Sequence, residues 1–385
     1  MIFHFPANRM EFERVFIDDG GYLQMKERTN NGMNAYILAC AHDVPETAYS
    51  QSEVCDNLNI TDSRIRSIFI NSGISKRHLS IDNMAGSAAE GETHAQMLAR
   101  HEKNALKLGG NAIRKCLDKI GMRIEDIDCI CCVTSTGFLV PALSARFCES
   151  LGVSDFCNRI DIVGMGCSAG LNGLDAVKNW SLANPGKLAV VVCTEICSAA
   201  YIEDGTLPTA VVNSLFGDGA SAAAVVSSSE DDAPPAGAIK LRAKLSLTEP
   251  SAIGMMKFDW NDEQHKNRFY LSKDVPYVVG SKVEKVVHKL LGEHQLNVSD
   301  IDHWVVHSGG KKVLDSICIN LGLTKSDLRH TRSVLNDFGN LSSGSFLFSL
   351  ERLQNEKITS AGDIGVFMTM GPGAAIETAL VQWEK

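Results

Sequence analysis

Apolar and polar positions switch between two periods along this chain, and the switches mark its elements. Between residues 90 and 121, Met97, Leu98, Ala105, Leu108, Ile113 and Leu117 recur at helical spacing among charges, and Gly121 supplies a stop. That pattern predicts a long amphipathic helix. Ile127–Val133 is a short apolar run rich in Cys and Ile, which reads as a buried strand. A second short strand from Asp161 runs into Gly164-Met-Gly166, with a helix expected over Leu171–Leu182. Strand-like and helix-like segments alternate throughout, which predicts an α/β fold of mainly parallel, buried sheets.

The pattern also repeats itself. Ile124-Glu-Asp-Ile-Asp-Cys-Ile-Cys-Cys-Val133 is echoed by Val298-Ser-Asp-Ile-Asp-His-Trp-Val-Val-His307, each an Asp-Ile-Asp turn entering an apolar strand. Leu151-Gly152 is echoed by Leu321-Gly322, Gly166-Cys167 by Gly339-Asn340, and Gly217–Ala222 by Gly371–Ile376. Four echoes in one order predict a duplicated α/β half. The clearest break in composition is Ser227–Gly237, SSSEDDAPPAG. The expected organisation is an arm over residues 1–33, one half over 34–230 and a second over 237–385.

Composition narrows the class. Of 385 residues, 44% are apolar and 22% charged, as in ordinary globular proteins. That excludes disordered, collagen-like and coiled-coil chains. A net charge of −9 offers no general attraction to nucleic acid or an anionic membrane. The longest apolar stretch, Leu188–Ile202, is interrupted by Glu195 and is too short to span a bilayer. No basic-then-apolar leader is evident. Twelve cysteines in that setting predict reduced thiols in a cytoplasmic enzyme. No H-E-x-x-H motif occurs and metal-ligand spacing is poor, so no metal is expected.

In parallel sheets, reactive residues gather at the carboxyl ends of strands, where Cys167, His307 and Asn340 are expected. Cys167 follows a strand and a glycine-rich turn and opens a helix, a setting that favours a thiolate. Burial as an inert core residue is the commoner fate of a free cysteine, and the other eleven, Cys193 and Cys197 included, are read that way. His307 ends the run Trp304-Val305-Val306 before Ser308-Gly309-Gly310. A lone histidine is more often structural. Asn340 lies in Asp337-Phe-Gly-Asn-Leu-Ser-Ser-Gly-Ser345, where an asparagine often caps or turns. Taken together, a cysteine at a helix start with a downstream His and Asn points to acyl transfer at a thioester. Two other readings of these residues stay open. A cysteine protease uses the same residue types. Gly164-x-Gly166-x-x-Ala169 after a strand also fits a dinucleotide fingerprint, although Glu195 lies too far along to complete it.

These Cys, His and Asn contexts, with Leu215-Phe-Gly-Asp-Gly219 and Met370-Gly-Pro-Gly373, resemble type III polyketide synthases, the chalcone-synthase-like branch of the thiolase superfamily. The resemblance runs from about Asn34 to Trp383. Longer stretches, such as Cys132–Leu139, Asp161–Cys167, Thr209–Gly219, His303–Lys312 and Gly339–Phe348, are similar to a bacterial branch. Its product is 3,5-dihydroxyphenylacetyl-CoA, used in glycopeptide antibiotic biosynthesis. The resemblance implies a thiolase-like five-layered αβαβα fold, a homodimer, malonyl-CoA as starter and extender, and no cofactor beyond CoA thioesters as substrates. It implies that Cys167 carries the chain while His307 and Asn340 hold the malonyl carbonyl during decarboxylation. It places Phe216, Phe269, Ser342, Gly309, Lys312 and Val140 at the substrate cavity, and Arg64, Arg66, Lys76 and Arg77 near the CoA mouth. Plant members usually carry Met at the Val140 position. Accessory dehydratase enzymes acting on the product also follow from it. The nearest rival is a single-condensation ketoacyl synthase III. A degradative thiolase would need a second cysteine near the C-terminus, and the last here is Cys318. An NAD-binding oxidoreductase and a catalytically silent scaffold belong to other classes.

Overall fold

The computed structural model describes residues 16–17, 23–24, 32–81, 93–201, 204–263 and 265–385. The arm expected over residues 1–33 lies outside the described residues, except for the paired strands Phe16–Ile17 and Leu23–Gln24 and its last two positions.

Nine strands form one sheet: β1 Met33–Asp43, β2 Ile127–Thr134, β3 Asn158–Val163, β4 Leu188–Ile196, β5 Asp218–Ser229, β6 Ile239–Thr248, β7 His303–Val306, β8 Ile364–Gly371 and β9 Ala375–Trp383. Their order is β7-β8-β9-β6-β1-β5-β4-β2-β3. The duplication is plain in this order. With β3 set aside, β2-β4-β5-β1 and β7-β8-β9-β6 are the same arrangement. In each, the first pairing is parallel and the next two antiparallel. The halves meet where β1 and β6 pair antiparallel through Ile37–Ile239 and Tyr36–Lys240.

The expected mainly parallel sheet is not found. Three of the eight pairings are parallel and five antiparallel. Strands covered on both faces read as continuous apolar runs whichever way they pair, so hydropathy does not report direction. Strand β2 shows why. Cys129, Cys131 and Val133 join the central core, while Ile130 and Cys132 point into the outer one. Cys129 and Cys132, three residues apart, therefore face opposite sides.

Seven helices build the layers: α1 His94–Asp118, α2 Ala169–Ala183, α3 Leu207–Leu215, α4 Val275–Glu293, α5 Lys311–Leu321, α6 Arg329–Phe338 and α7 Ser345–Glu356. Helix α1 packs on β1, β4 and β5 from outside. Helices α2 and α7 lie between the halves and touch strands of both. Helix α4, with α5 against it, covers the far face of β6 and β9. The result is the five-layered αβαβα arrangement. Among the described residues no helix is long and apolar enough to cross a membrane.

Candidate active site

Strand β3 ends at Val163, and one turn of 3-10 helix, Gly166–Ser168, leads into α2. Gly166 has φ +61°, and a Cβ there would sit 2.4 Å from Pro372 Cδ. Only glycine fits, and the room it leaves is filled by protein rather than by a pyrophosphate, which removes the basis of the dinucleotide reading. The turn presents Cys167 to an apolar cavity of about 720 Å³. Phe216, Phe258, Phe269, Met256, Cys197 and Tyr201 are among its walls. The Phe216 and Phe269 rings meet edge to face at 5.5 Å.

One line of contacts runs from Cys167 to Asn340 and on to Gly309, two residues from His307. Cys167 Sγ lies 3.5 Å from Ser342 Oγ. The Ser342 N–H donates to Asn340 Oδ1 at 2.8 Å. Asn340 Nδ2 reaches the Gly309 carbonyl at 3.4 Å, a weak bond that leaves the amide donor available. A Cβ on Gly309 would lie 3.3 Å from His307 Nε2, so the glycine keeps that nitrogen open. All three side chains are buried, Cys167 at 7% exposure, His307 at 2% and Asn340 at 3%. Asn340 does not follow a strand, as expected for it. It follows α6 and is fixed by an isolated bridge to Phe216: its N–H donates to Leu215 O at 2.8 Å, and its carbonyl accepts from Gly217 N–H at 2.9 Å.

Burial sets the electrostatics. It pushes the Cys167 thiol up to about 12; the Ser342 hydroxyl pulls it back and the Glu195 charge pushes it further up. Desolvation thus works against the thiolate that the helix end favours. Burial also lowers His307 to about 3, leaving a neutral imidazole. Glu195 is wholly buried on β4, and burial raises it. It accepts from Ser343 Oγ at 2.6 Å, Ser135 N–H at 2.9 Å and Thr136 Oγ at 3.1 Å. Its charge inside an apolar run was the signal for this network. Cys197 is buried in an apolar cluster, as expected, and also lines the cavity.

The expected site residues do not all fall together. Phe216, Phe269 and Ser342 line the cavity with Cys167, whereas Gly309, His307 and Asn340 do not; Val140 is 79% exposed and Lys312 is exposed at the start of α5, both outside that lining. Of the basic residues placed near a CoA mouth, Arg64 pairs with Asp62 and Arg66 with Asp56. Arg77 is fully buried and donates to Asn213 O, Phe216 O and Tyr201 OH at 2.6–2.7 Å, so it braces the Phe216 turn rather than a phosphate. Among the described residues no group of three or more His, Cys, Asp or Glu side chains is placed to hold a metal.

Two family profiles match: "FAE1/Type III polyketide synthase-like protein" over residues 42–310 and "Chalcone and stilbene synthases, C-terminal domain" over 258–383. The chain belongs to the type III polyketide synthases, acyltransferases that perform decarboxylative condensation. Within that family it is 52% identical over 349 residues to the 3,5-dihydroxyphenylacetyl-CoA synthase of Streptomyces toyocaensis, covering 90% of each chain. It is 51% identical over 341 residues to the synthase of that name from Amycolatopsis orientalis, covering 88% of this chain and 91% of the relative. Among solved structures, the 1,3,6,8-tetrahydroxynaphthalene synthase of Streptomyces coelicolor superposes with a TM-score of 0.82 at 27% identity, covering 91% of this chain and 99% of that one.

Proposed function

We propose that this chain condenses malonyl-CoA units on Cys167 and cyclises the tetraketide to a 3,5-dihydroxyphenylacetyl-CoA-type product. The observation that carries the reading is the Cys167–Ser342–Asn340–Gly309 line of contacts, with the His307 ring beside Gly309, next to an apolar cavity, in a chain about half identical to synthases named for that product. Cys167 sulfur attacks the starter thioester carbonyl; the thiol proton leaves with CoA as the free thiol, and the chain remains as an enzyme thioester. A malonyl thioester then places its carbonyl oxygen against His307 Nε2–H and Asn340 Nδ2–H. The bond to its carboxylate breaks, CO2 departs, and the electron pair becomes an enolate held by those two donors. The enolate carbon attacks the Cys167 thioester and expels the thiolate, leaving the chain two carbons longer on CoA. Loss of CO2 generates the carbanion, so the condensation itself calls on no general base and, in this reading, on no cofactor beyond the CoA thioesters.

The same reading includes a homodimer, with a second copy seated over the loop where Phe138 and Val140 are 70% and 79% exposed. It includes a cytoplasmic setting, in which the twelve free thiols stay reduced. It also includes accessory dehydratase enzymes that act on the product. Mass spectrometry of products from malonyl-CoA alone tests it. A dihydroxyphenylacetyl product supports the reading, a single-condensation product favours the ketoacyl synthase III rival, and no turnover rejects it.

A further inference from the structure

A neutral imidazole can donate from only one of its two ring nitrogens, and which one decides whether His307 can hold a carbonyl oxygen. Its Nε2 faces the edge that Gly309 leaves open, and no hydrogen bond among the described residues occupies it. Its Nδ1 faces Ser345, the first residue of α7, whose hydroxyl lies 2.5 Å away. Ser345 is fully buried and its neighbours restrict it. The Ser308 N–H already donates to its Oγ at 3.2 Å, which fills one lone pair. The hydroxyl has a single proton to give. Its other acceptor is the Ser342 carbonyl at 3.3 Å, outside the usual O–H···O range of about 2.5–3.0 Å. That carbonyl already accepts from the backbone N–H of Ser345. The Ser342 carbonyl also attracts a ring N–H of His307, but no hydrogen bond of normal geometry joins the two, so the 2.5 Å contact makes Nδ1 the better taker of the hydroxyl proton.

We propose that Ser345 is the positioning residue for His307: its hydroxyl donates to Nδ1 and so holds the neutral ring as the tautomer that carries its hydrogen on Nε2. A serine suits this task where a carboxylate would not. A carboxylate at Nδ1 would accept a proton from that nitrogen, leave Nε2 as a bare lone pair in the neutral ring, and turn it against a substrate oxygen. The serine both turns Nε2 into a donor and leaves the ring uncharged. The tautomer is a property of the resting protein; its consequence for catalysis rests on the function proposed above.

The test is nitrogen-15 NMR of the intact enzyme labelled at histidine ring nitrogens, with the His307 signals assigned by their loss in His307→Gln. The expected parent spectrum shows a hydrogen-bearing Nε2 and an acceptor-type Nδ1. In Ser345→Ala, Nδ1 loses its donor, and the nearby Ser342 carbonyl favours hydrogen on Nδ1 instead. Malonyl-CoA decarboxylation should then fall about 10- to 100-fold in kcat at unchanged KM, by analogy with the loss seen when a partner orienting a metal-bound histidine is removed. Alkylation of Cys167 should keep its rate, which a general loosening of the site would not allow. A parent spectrum with hydrogen on Nδ1 overturns the proposal, and so does a Ser345→Ala enzyme that keeps both tautomer and kcat. If Ser345→Ala does not fold, the parent spectrum decides alone. Because the tautomer is read without turnover, it fails separately from the proposed function, which the Cys167 and Asn340 variants test.

Discussion

Asn340→Asp separates two tasks that one side chain performs. Its Oδ1 accepts the Ser342 N–H at 2.8 Å, and its Nδ2 is the donor proposed to face the substrate carbonyl. The exchange is nearly isosteric. It keeps an oxygen for Ser342 N–H, so the turn that carries Ser342 should survive, and the melting temperature should stay within a few degrees of the parent. It removes the donor. Loss of one preorganised oxyanion donor costs about 2.7–4 kcal/mol, or about 10²–10³ in rate. The introduced carboxylate also repels the enolate. Two unit charges about 4 Å apart at an effective dielectric of about 20 differ by about 4 kcal/mol. At neutral pH the two effects predict a loss of at least about 10³-fold in malonyl-CoA decarboxylation, measured as acetyl-CoA formed. Acyl loading of Cys167, read by mass spectrometry of the intact enzyme, should change far less. Burial raises the introduced carboxyl, and once protonated it can donate again, so activity should recover as pH falls. A folded Asn340→Asp enzyme that decarboxylates within tenfold of the parent at pH 7 refutes the assignment.

Cys167→Ala should fold normally and carry no acyl group after incubation with malonyl-CoA; an adduct on the intact protein would reject Cys167 as nucleophile. Gly309→Ala places a methyl 3.3 Å from His307 Nε2 and should slow decarboxylation more than loading, whereas equal slowing of both steps would contradict an open Nε2 edge. Decarboxylation by Cys167→Ala should show no inflection near pH 6.5, because His307 stays neutral down to about 3; an inflection there would mean that the imidazole titrates. The same burial gives stability a sign. Unfolded chains protonate this histidine near 6.5 and the folded protein only near 3, so stability is full above that window and falls as pH drops through it. By pH 5 this group alone should cost about 2 kcal/mol, and denaturant midpoints that do not move between pH 7 and 5 would contradict its burial as a neutral ring.

Much of the duplication was legible in the sequence because it is carried by local chemistry. Ile124–Asp126 and Val298–Asp300 are both single 3-10 turns, and in each the last Asp accepts the backbone N–H three residues before it, at 2.8 and 2.7 Å. Leu151-Gly152 and Leu321-Gly322 both end helices in the left-handed conformation. One echo was out of register. Gly166-Cys167 was matched to Gly339-Asn340, but the second half's equivalent 3-10 turn is Ser342–Gly344, so Ser342 takes the place of Gly166. The shift is invisible in composition because glycine, serine and asparagine all serve in turns. Strand direction, the bracing role of Arg77 and the Glu195 network depend on partners more than a hundred residues away, or on sheet pairing, and no local pattern encodes them.

That register explains how the site is held rigid. Gly166 has φ +61° and Ser342 has φ +49° at the same place in their turns. For glycine the conformation is free of penalty; for serine it costs about 1–3 kcal/mol and must be held by its surroundings. What holds it here is the Asn340 side-chain oxygen, Oδ1, on the Ser342 N–H. The strained serine in turn brings its hydroxyl to Cys167, across from the other half. An asparagine whose oxygen is committed in this way has no freedom to flip, so its NH2 is directed away from Ser342 and stays a donor. The order of the donors and the position of the sulfur are thus set by one backbone turn from each half. Neither half alone would contain the site, and a change that relaxes Ser342 would disturb the nucleophile and the carbonyl-holding amide together.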